Sequence, residues 1–227
     1  MNIEDIKRLR TSERTFLMKG EPEVCTLRSY DEHRCIFVHI PKTAGLSIAK
    51  SLFGNAGGSH VPLSTYEQVF DKAEFDSYFK FAFVRNPWDR VVSAYAYLID
   101  GGGQNEYDEK WGRTLAEYDG FEAFVTGWLT SRNVREQIHF LPQHEFVCTE
   151  GVELGVDFVG RFERIEQDFE RVRGKLGIGG ALVHLNASKR QHYTSYYNQE
   201  AIDIVADVYR KDIELFGYDF EGSRSGL

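Results

Sequence analysis

Residues 35–47 read CIFVHIPKTAGLS, an apolar, β-branched and aromatic run that passes through a proline into a lysine, two small residues and a glycine. An uninterrupted apolar run of this kind suits a strand buried on both faces, and Pro41, which has no N–H to give to a ladder, ends it. Beyond the loop, Leu46, Ala49, Leu52 and Phe53 recur at helical spacing as far as Gly54, a residue suited to the left-handed position after a helix. Strand, short loop and helix in that order make half of a parallel βαβ unit.

The same order returns twice. Residues 78–100, YFKFAFVRNPWDRVVSAYAYLID, predict a strand from Phe79 to Val84, then Asn86 as N-cap, Pro87 at the first helical position and Asp89 in the first turn. In residues 155–177, GVDFVGRFERIEQDFERVRGKLG, Val156 to Phe162 reads as a strand, and Ile165, Phe169, Val172 and Leu176 form the apolar stripe of a helix. One last helix carries Ile202, Val205, Tyr209, Ile213 and Phe216 and closes at Gly217. Residues 101–120, GGGQNEYDEKWGRTLAEYDG, precede a helix around Phe121 to Leu129 and read as a substrate-facing lid rather than a second domain. The expected fold is α/β, a single domain with a central parallel sheet flanked by helices and a P-loop-like nucleotide site. Residues 34–220 would form that domain, with 1–33 as an N-terminal extension and 221–227 as a C-terminal tail.

The totals exclude several functions. The 227 residues are enough for one domain that buries roughly 70% of its unfolded surface, and 42% hydrophobic with 27% charged residues is ordinary for a globular protein. A net charge of −8 repels nucleic acids and anionic lipid, so an anionic ligand needs a local cluster of cations. Cys25, Cys35 and Cys148 form no CxxC pair, which argues against a disulfide framework or a zinc site and suits a reducing compartment. The charged N-terminus lacks the apolar core of a signal peptide, and no run of about 18 apolar residues occurs, so the expected location is cytoplasmic without a membrane span.

In a parallel α/β sheet, ligands bind beyond the carboxyl ends of the strands, where helix N-termini aim free N–H groups at anions. PKTAGLS falls at such a place: Thr43, Ala44 and Gly45 are small enough for backbone amides to approach an anion, Lys42 brings a full charge and Ser47 a hydroxyl. The nucleotide-triphosphatase loop GxxxxGK[ST] is not matched, because Lys42 precedes the glycine and no GK[ST] occurs, which argues against a magnesium-dependent NTPase. Alone, the loop also reads as a structural turn with an exposed lysine. Arg85 follows directly on a buried strand, where its charge is expensive without an anion or carboxylate partner. On the next helix Val91, Val92, Tyr95, Leu98 and Ile99 fall in one arc, while Arg90, Ser93 and Tyr97 share the other side. Ser93 and Arg90 read equally as ligand contacts or as a packing residue and a salt-bridge partner.

Together, HIPKTAGLS and FVRNPWDRVVSAY resemble the two PAPS-binding motifs of sulfotransferases, particularly the Golgi carbohydrate sulfotransferases and their short bacterial relatives; PAPS is 3′-phosphoadenosine 5′-phosphosulfate. The resemblance runs over roughly residues 34–220. It implies that Lys42, Thr43, Ala44, Gly45, Leu46 and Ser47 hold the 5′-phosphosulfate and that Arg85 and Ser93 hold the 3′-phosphate. Lys189 and Arg190, in a late polar loop, would add cations near that phosphate. The reaction would move a sulfo group to a hydroxyl of a carbohydrate or other small-molecule acceptor, release PAP and require no metal, with Lys42 stabilising the leaving phosphate. The resemblance matches His60 to the base between the motifs; His139 and His144 stand as alternatives near the acceptor, and Gln143 as a residue that could orient it. Aromatic residues of WGRTLAEYDGFEAFVTGW, residues 111–128, could stack on a sugar. The competing readings are a P-loop-type kinase or NTPase and a non-catalytic nucleotide-binding module.

Overall fold

In the computed structural model, which describes residues 2–149, 153–185 and 190–223, the three strand-like runs form one parallel sheet. In chain order the elements are α1 (Ile3–Arg8), β1 (Arg14–Met18), β2 (Glu21–Cys25), α2 (Arg28–His33), β3 (Cys35–Val38), α3 (Gly45–Phe53), α4 (Leu63–Val69) and α5 (Lys72–Ser77). They continue with β4 (Phe79–Val84), α6 (Pro87–Ile99), α7 (Glu106–Leu115), α8 (Gly120–Trp128), α9 (His144–Val147), β5 (Cys148–Thr149), β6 (Glu153–Leu154) and β7 (Phe158–Arg161). The last are α10 (Ile165–Leu176), α11 (Gln199–Val208), α12 (Arg210–Phe216), β8 (Tyr218–Asp219) and β9 (Gly222–Ser223).

The sheet order is β3-β4-β7. Cys35 pairs with Phe79 and Val38 with Ala82, while Phe81 pairs with Phe158 and Val84 with Arg161, all in parallel. The three strands therefore end at one edge of the sheet. Each of β3 and β4 is nearly all apolar and buried because both faces are covered. Lys80 is the exception, and its ammonium is satisfied inside by the carbonyls of Phe75 and Tyr78 at 2.9 Å each.

The fold is thus mixed α/β with helices flanking a parallel sheet, a single domain whose chain groups into two compact units. The first takes in the described parts of Met1–Phe16, Pro22–Val84 and Gln143–Ala187. Its buried apolar residues include Ile36, Phe37 and Val38 of β3, Ile48, Ala49 and Leu52 of α3, and Phe169 and Val172 of α10. The N-terminal stretch belongs to this unit: Ile6, Leu9, Leu27 and Tyr30 are buried, and the Leu27 amide donates to the Leu9 carbonyl at 2.8 Å. Cys25 and Cys35 are buried here too, their thiols pushed up to about 11 and about 12, so both stay protonated.

The second unit, the described parts of Leu17–Glu21, Arg85–Pro142 and Ser188–Leu227, is mainly helical. Trp88, Leu98, Leu115, Phe124, Trp128 and Val205 are buried together in its core. Three details of this unit differ from the sequence reading. The glycine-rich stretch contains α7, started by Asn105, whose side chain accepts from the Asp108 amide at 3.0 Å. Phe121, Phe124 and Trp128 are interior residues rather than a surface on which a sugar could lie. The single last helix is two, broken at Tyr209 (φ −105°, ψ 24°), which turns its hydroxyl to the Phe140 carbonyl at 2.6 Å. Apolar spacing continues across that break, so periodicity does not reveal it. The strand expected over 156–162 narrows to Phe158–Arg161, and the first stops at Val38 rather than Ile40.

Candidate functional site

The loop leaving β3 takes an unusual backbone path. Lys42 (φ 70°) and Ala44 (φ 64°) are both left-handed, with Thr43 between them at negative φ. For residues with a β-carbon such conformations cost on the order of 1–3 kcal/mol each. Alternation of hand turns successive amides toward one side, the arrangement that binds anions. Ala44 is also the N-cap of α3 and offers no capping side chain, so the first N–H groups of that helix are left to other partners. Thr43 is fully buried and its hydroxyl donates to the Ile40 carbonyl at 2.9 Å, which leaves its backbone amide as its contribution to a ligand. Ser47, buried in the first turn of α3, accepts from the Leu185 amide at 3.1 Å and keeps its own proton to donate.

Gly45 is required for a reason absent from the sequence reading. A β-carbon there would lie 1.8 Å from Cδ2 and 2.0 Å from Nε2 of His39. The imidazole occupies the space that a side chain would fill, stacked on Phe37 with ring centroids 5.6 Å apart. His39 is not a strand residue but the first residue past β3. Burial, with help from nearby His60, holds its pKa well below the ordinary value of 6.5, so it stays neutral.

His60 sits beside it, with ring centroids 4.2 Å apart, and its Nδ1 is 2.9 Å from the His39 carbonyl. A carbonyl only accepts, so Nδ1 carries the hydrogen and the ring's lone pair lies on Nε2, the tautomer that a general base needs. The glycine segment before His60 is held by a tyrosine that the sequence reading missed. The Gly58 amide donates to the Tyr30 hydroxyl at 3.2 Å, and that hydroxyl donates to the Phe37 carbonyl of β3 at 2.9 Å. A β-carbon on Gly58 would come within 2.3 Å of the Tyr66 hydroxyl. No spacing signal marks Tyr30, because its role depends on contacts with residues 7 and 28 positions away.

Arg85 is the residue after Val84, and it is nearly buried. Its Nε donates to Asp89 at 2.8 Å, and Arg190 donates to the other oxygen of the same carboxylate. Among the described residues the buried Nε of Arg190 has no hydrogen-bond partner. Asn86 caps α6 as expected, accepting from the Trp88 amide at 3.0 Å, and its amide group also donates to the Asp219 carbonyl at 2.8 Å. Ser93 is mostly buried, one turn further along α6 than Asp89. Arg90 departs from the ligand-facing reading: it is fully buried and donates to the Leu141 carbonyl at 2.8 Å. Lys189 lies outside the described residues.

His139 is buried against Tyr97 and bonded to Gln137, with Nδ1 3.1 Å from the side-chain Oε1 of Gln137. Gln143 and His144 are buried as well. Among the described residues no group of three or more His, Cys, Asp or Glu side chains is placed to hold a metal, and no helix is long and apolar enough to cross a membrane.

A profile of the sulfotransferase family matches residues 26–219. An uncharacterized protein of Archaeoglobus fulgidus is 28% identical over 54% of this chain and 88% of its own length. Carbohydrate sulfotransferase 11 of Rattus norvegicus is 21% identical and carbohydrate sulfotransferase 14 of Danio rerio 24% identical, each over 83% of this chain. The chain spans 65% and 60% of their lengths. No solved structure matches.

Proposed function

The chain belongs to the sulfotransferase family, and on that premise we propose that it moves a sulfo group from PAPS to an acceptor hydroxyl. The observation that carries this reading is the left-handed pair Lys42 and Ala44 leading into the uncapped start of α3, an anion cradle directly after a parallel strand. PAPS supplies the activated sulfo group and, as leaving group, the 5′-phosphate of PAP.

Lys42, the amides of residues 43–46 and the Ser47 hydroxyl hold the 5′-phosphosulfate. Arg85, Ser93 and Arg190 take the 3′-phosphate, with Lys189 as a further cation. Among the described residues Arg190 has an unused donor, its Nε, for that purpose. His60 accepts the proton of the acceptor hydroxyl on Nε2 as the oxygen attacks sulfur. Lys42 and the loop amides stabilise the charge that appears on the phosphate as its bond to sulfur breaks. A carbohydrate acceptor is favoured by the two relatives named as carbohydrate sulfotransferases. Within the aromatic stretch 111–128 the rings at 121, 124 and 128 are interior, which leaves the partly buried Trp111 and Tyr118 as the ones that could meet a sugar.

The test is incubation with PAPS and a panel of mono- and oligosaccharides, small alcohols and fractionated extract, followed by mass spectrometry. A species that gains one sulfo group, with stoichiometric PAP, is the expected result. Magnesium-dependent ATP turnover without any sulfated product would overturn it in favour of an NTPase. Tight PAP binding with no transfer, unaffected by His60→Ala, would instead indicate a binding module.

A further inference from the structure

The pair of arginines assigned to the 3′-phosphate contains a carboxylate, which is a poor neighbour for an anion unless it does something else. Asp89 has one oxygen on Arg85 Nε at 2.8 Å and the other on Arg190, two residues 105 positions apart in sequence. All three side chains are largely withdrawn from water, at 7%, 14% and 12% exposure for Arg85, Asp89 and Arg190. Two buried guanidiniums without a counter-charge repel each other and lose hydration, so they would turn away or draw in an anion indiscriminately. With the carboxylate between them the trio carries one net positive charge, and each guanidinium is fixed along one edge. Asp89 is well placed for this, since the first turn of α6 favours a negative charge and Asn86 holds its amide at 3.4 Å.

We propose that Asp89 is a positioning residue that sets the preference for a 3′-phosphorylated nucleotide, by holding Arg85 and Arg190 together before the nucleotide arrives. This rests on the assignment of that pair to the 3′-phosphate. Its signature is selectivity rather than affinity in general. The carboxylate repels an anion placed at this pair, yet it strengthens binding of the one anion whose position needs both arginines.

The test is calorimetry of PAP and adenosine 5′-phosphate with the full chain, for the wild type, Asp89→Asn, Arg190→Gln and the double variant. Asp89→Asn keeps the shape and leaves the backbone cap made by Asn86 in place, and circular dichroism checks that it folds. The expected result is a roughly tenfold loss of PAP affinity in Asp89→Asn with adenosine 5′-phosphate unchanged. Arg190→Gln should lose a similar factor, and the double variant little more than either, because the two act as one unit. If Asp89→Asn fails to fold, Arg190→Gln still decides, since a PAP loss equal to the adenosine 5′-phosphate loss contradicts the coupling. Tighter PAP binding in Asp89→Asn, equal losses for both nucleotides, or additive losses in the double variant would sink the inference. A wild type that does not distinguish the two nucleotides would instead refute the assignment of the arginine pair on which it rests.

Discussion

Lys42 combines a charge with a backbone position that disfavours any side chain, and the two can be separated. Lys42→Gly removes both the strain and the ammonium, so the thermal midpoint should hold or rise while turnover falls by about 10²–10³, the usual loss for one transition-state donor. Turnover within a few-fold of wild type would remove Lys42 from catalysis. For His60, steady-state kinetics of His60→Ala should show kcat lower by about 10²–10⁴ with PAPS affinity close to wild type; a pure affinity loss would assign it to binding. His39 should make the fold acid-sensitive. Its folded pKa is depressed, so the unfolded chain binds the extra proton first as pH falls. Stability is then complete above about pH 6.5, the ordinary histidine value, and drains below it. Urea midpoints at pH 7.5 and 5.5 should diverge more in the wild type than in His39→Gln, and equal slopes would show that the histidine is not the source.

At the level of elements, the three βα units were legible because each announces itself locally. A buried parallel strand is a continuous apolar run, and Asn86-Pro87 or a closing Gly54 or Gly217 marks a helix end by backbone chemistry alone. Tyr30 and Tyr209 were missed because their roles depend on a partner elsewhere in the chain. Tyr209 breaks a helix for the sake of the Phe140 carbonyl, and α7 hides in a stretch whose glycines outvoted its Asn105 cap. The anion loop shows both cases. Its small residues and lysine could be read directly, whereas the demand for glycine at position 45 comes from the His39 ring across the turn. Gly45→Ala should therefore act on both neighbours at once, displacing His39 and with it the carbonyl that fixes His60. The expected outcome is a loss of turnover larger than the loss of PAP affinity, with a lower thermal midpoint. A variant that lost PAP binding alone would mean that the glycine serves only the ligand.

For the whole molecule, the stretch before residue 34, outside the reach of the motif resemblance, is tied into the first compact unit. The matched family region begins at residue 26, yet α1 is tied to the chain just inside it through Leu9 and Leu27. More tellingly, the hydroxyl that joins the first strand of the sheet to the glycine turn ahead of His60 belongs to Tyr30. A shortened chain starting at residue 34 would retain every motif residue and still lack that brace. It should bind PAP through the α3 cradle but turn over slowly, and the full-length variant Tyr30→Phe should reproduce the kinetic defect without the instability. Seen as an engineering matter, grafting the two motifs onto another α/β scaffold would carry the α3 cradle, whereas the placement of His60 would travel only with α2, the helix that carries Tyr30.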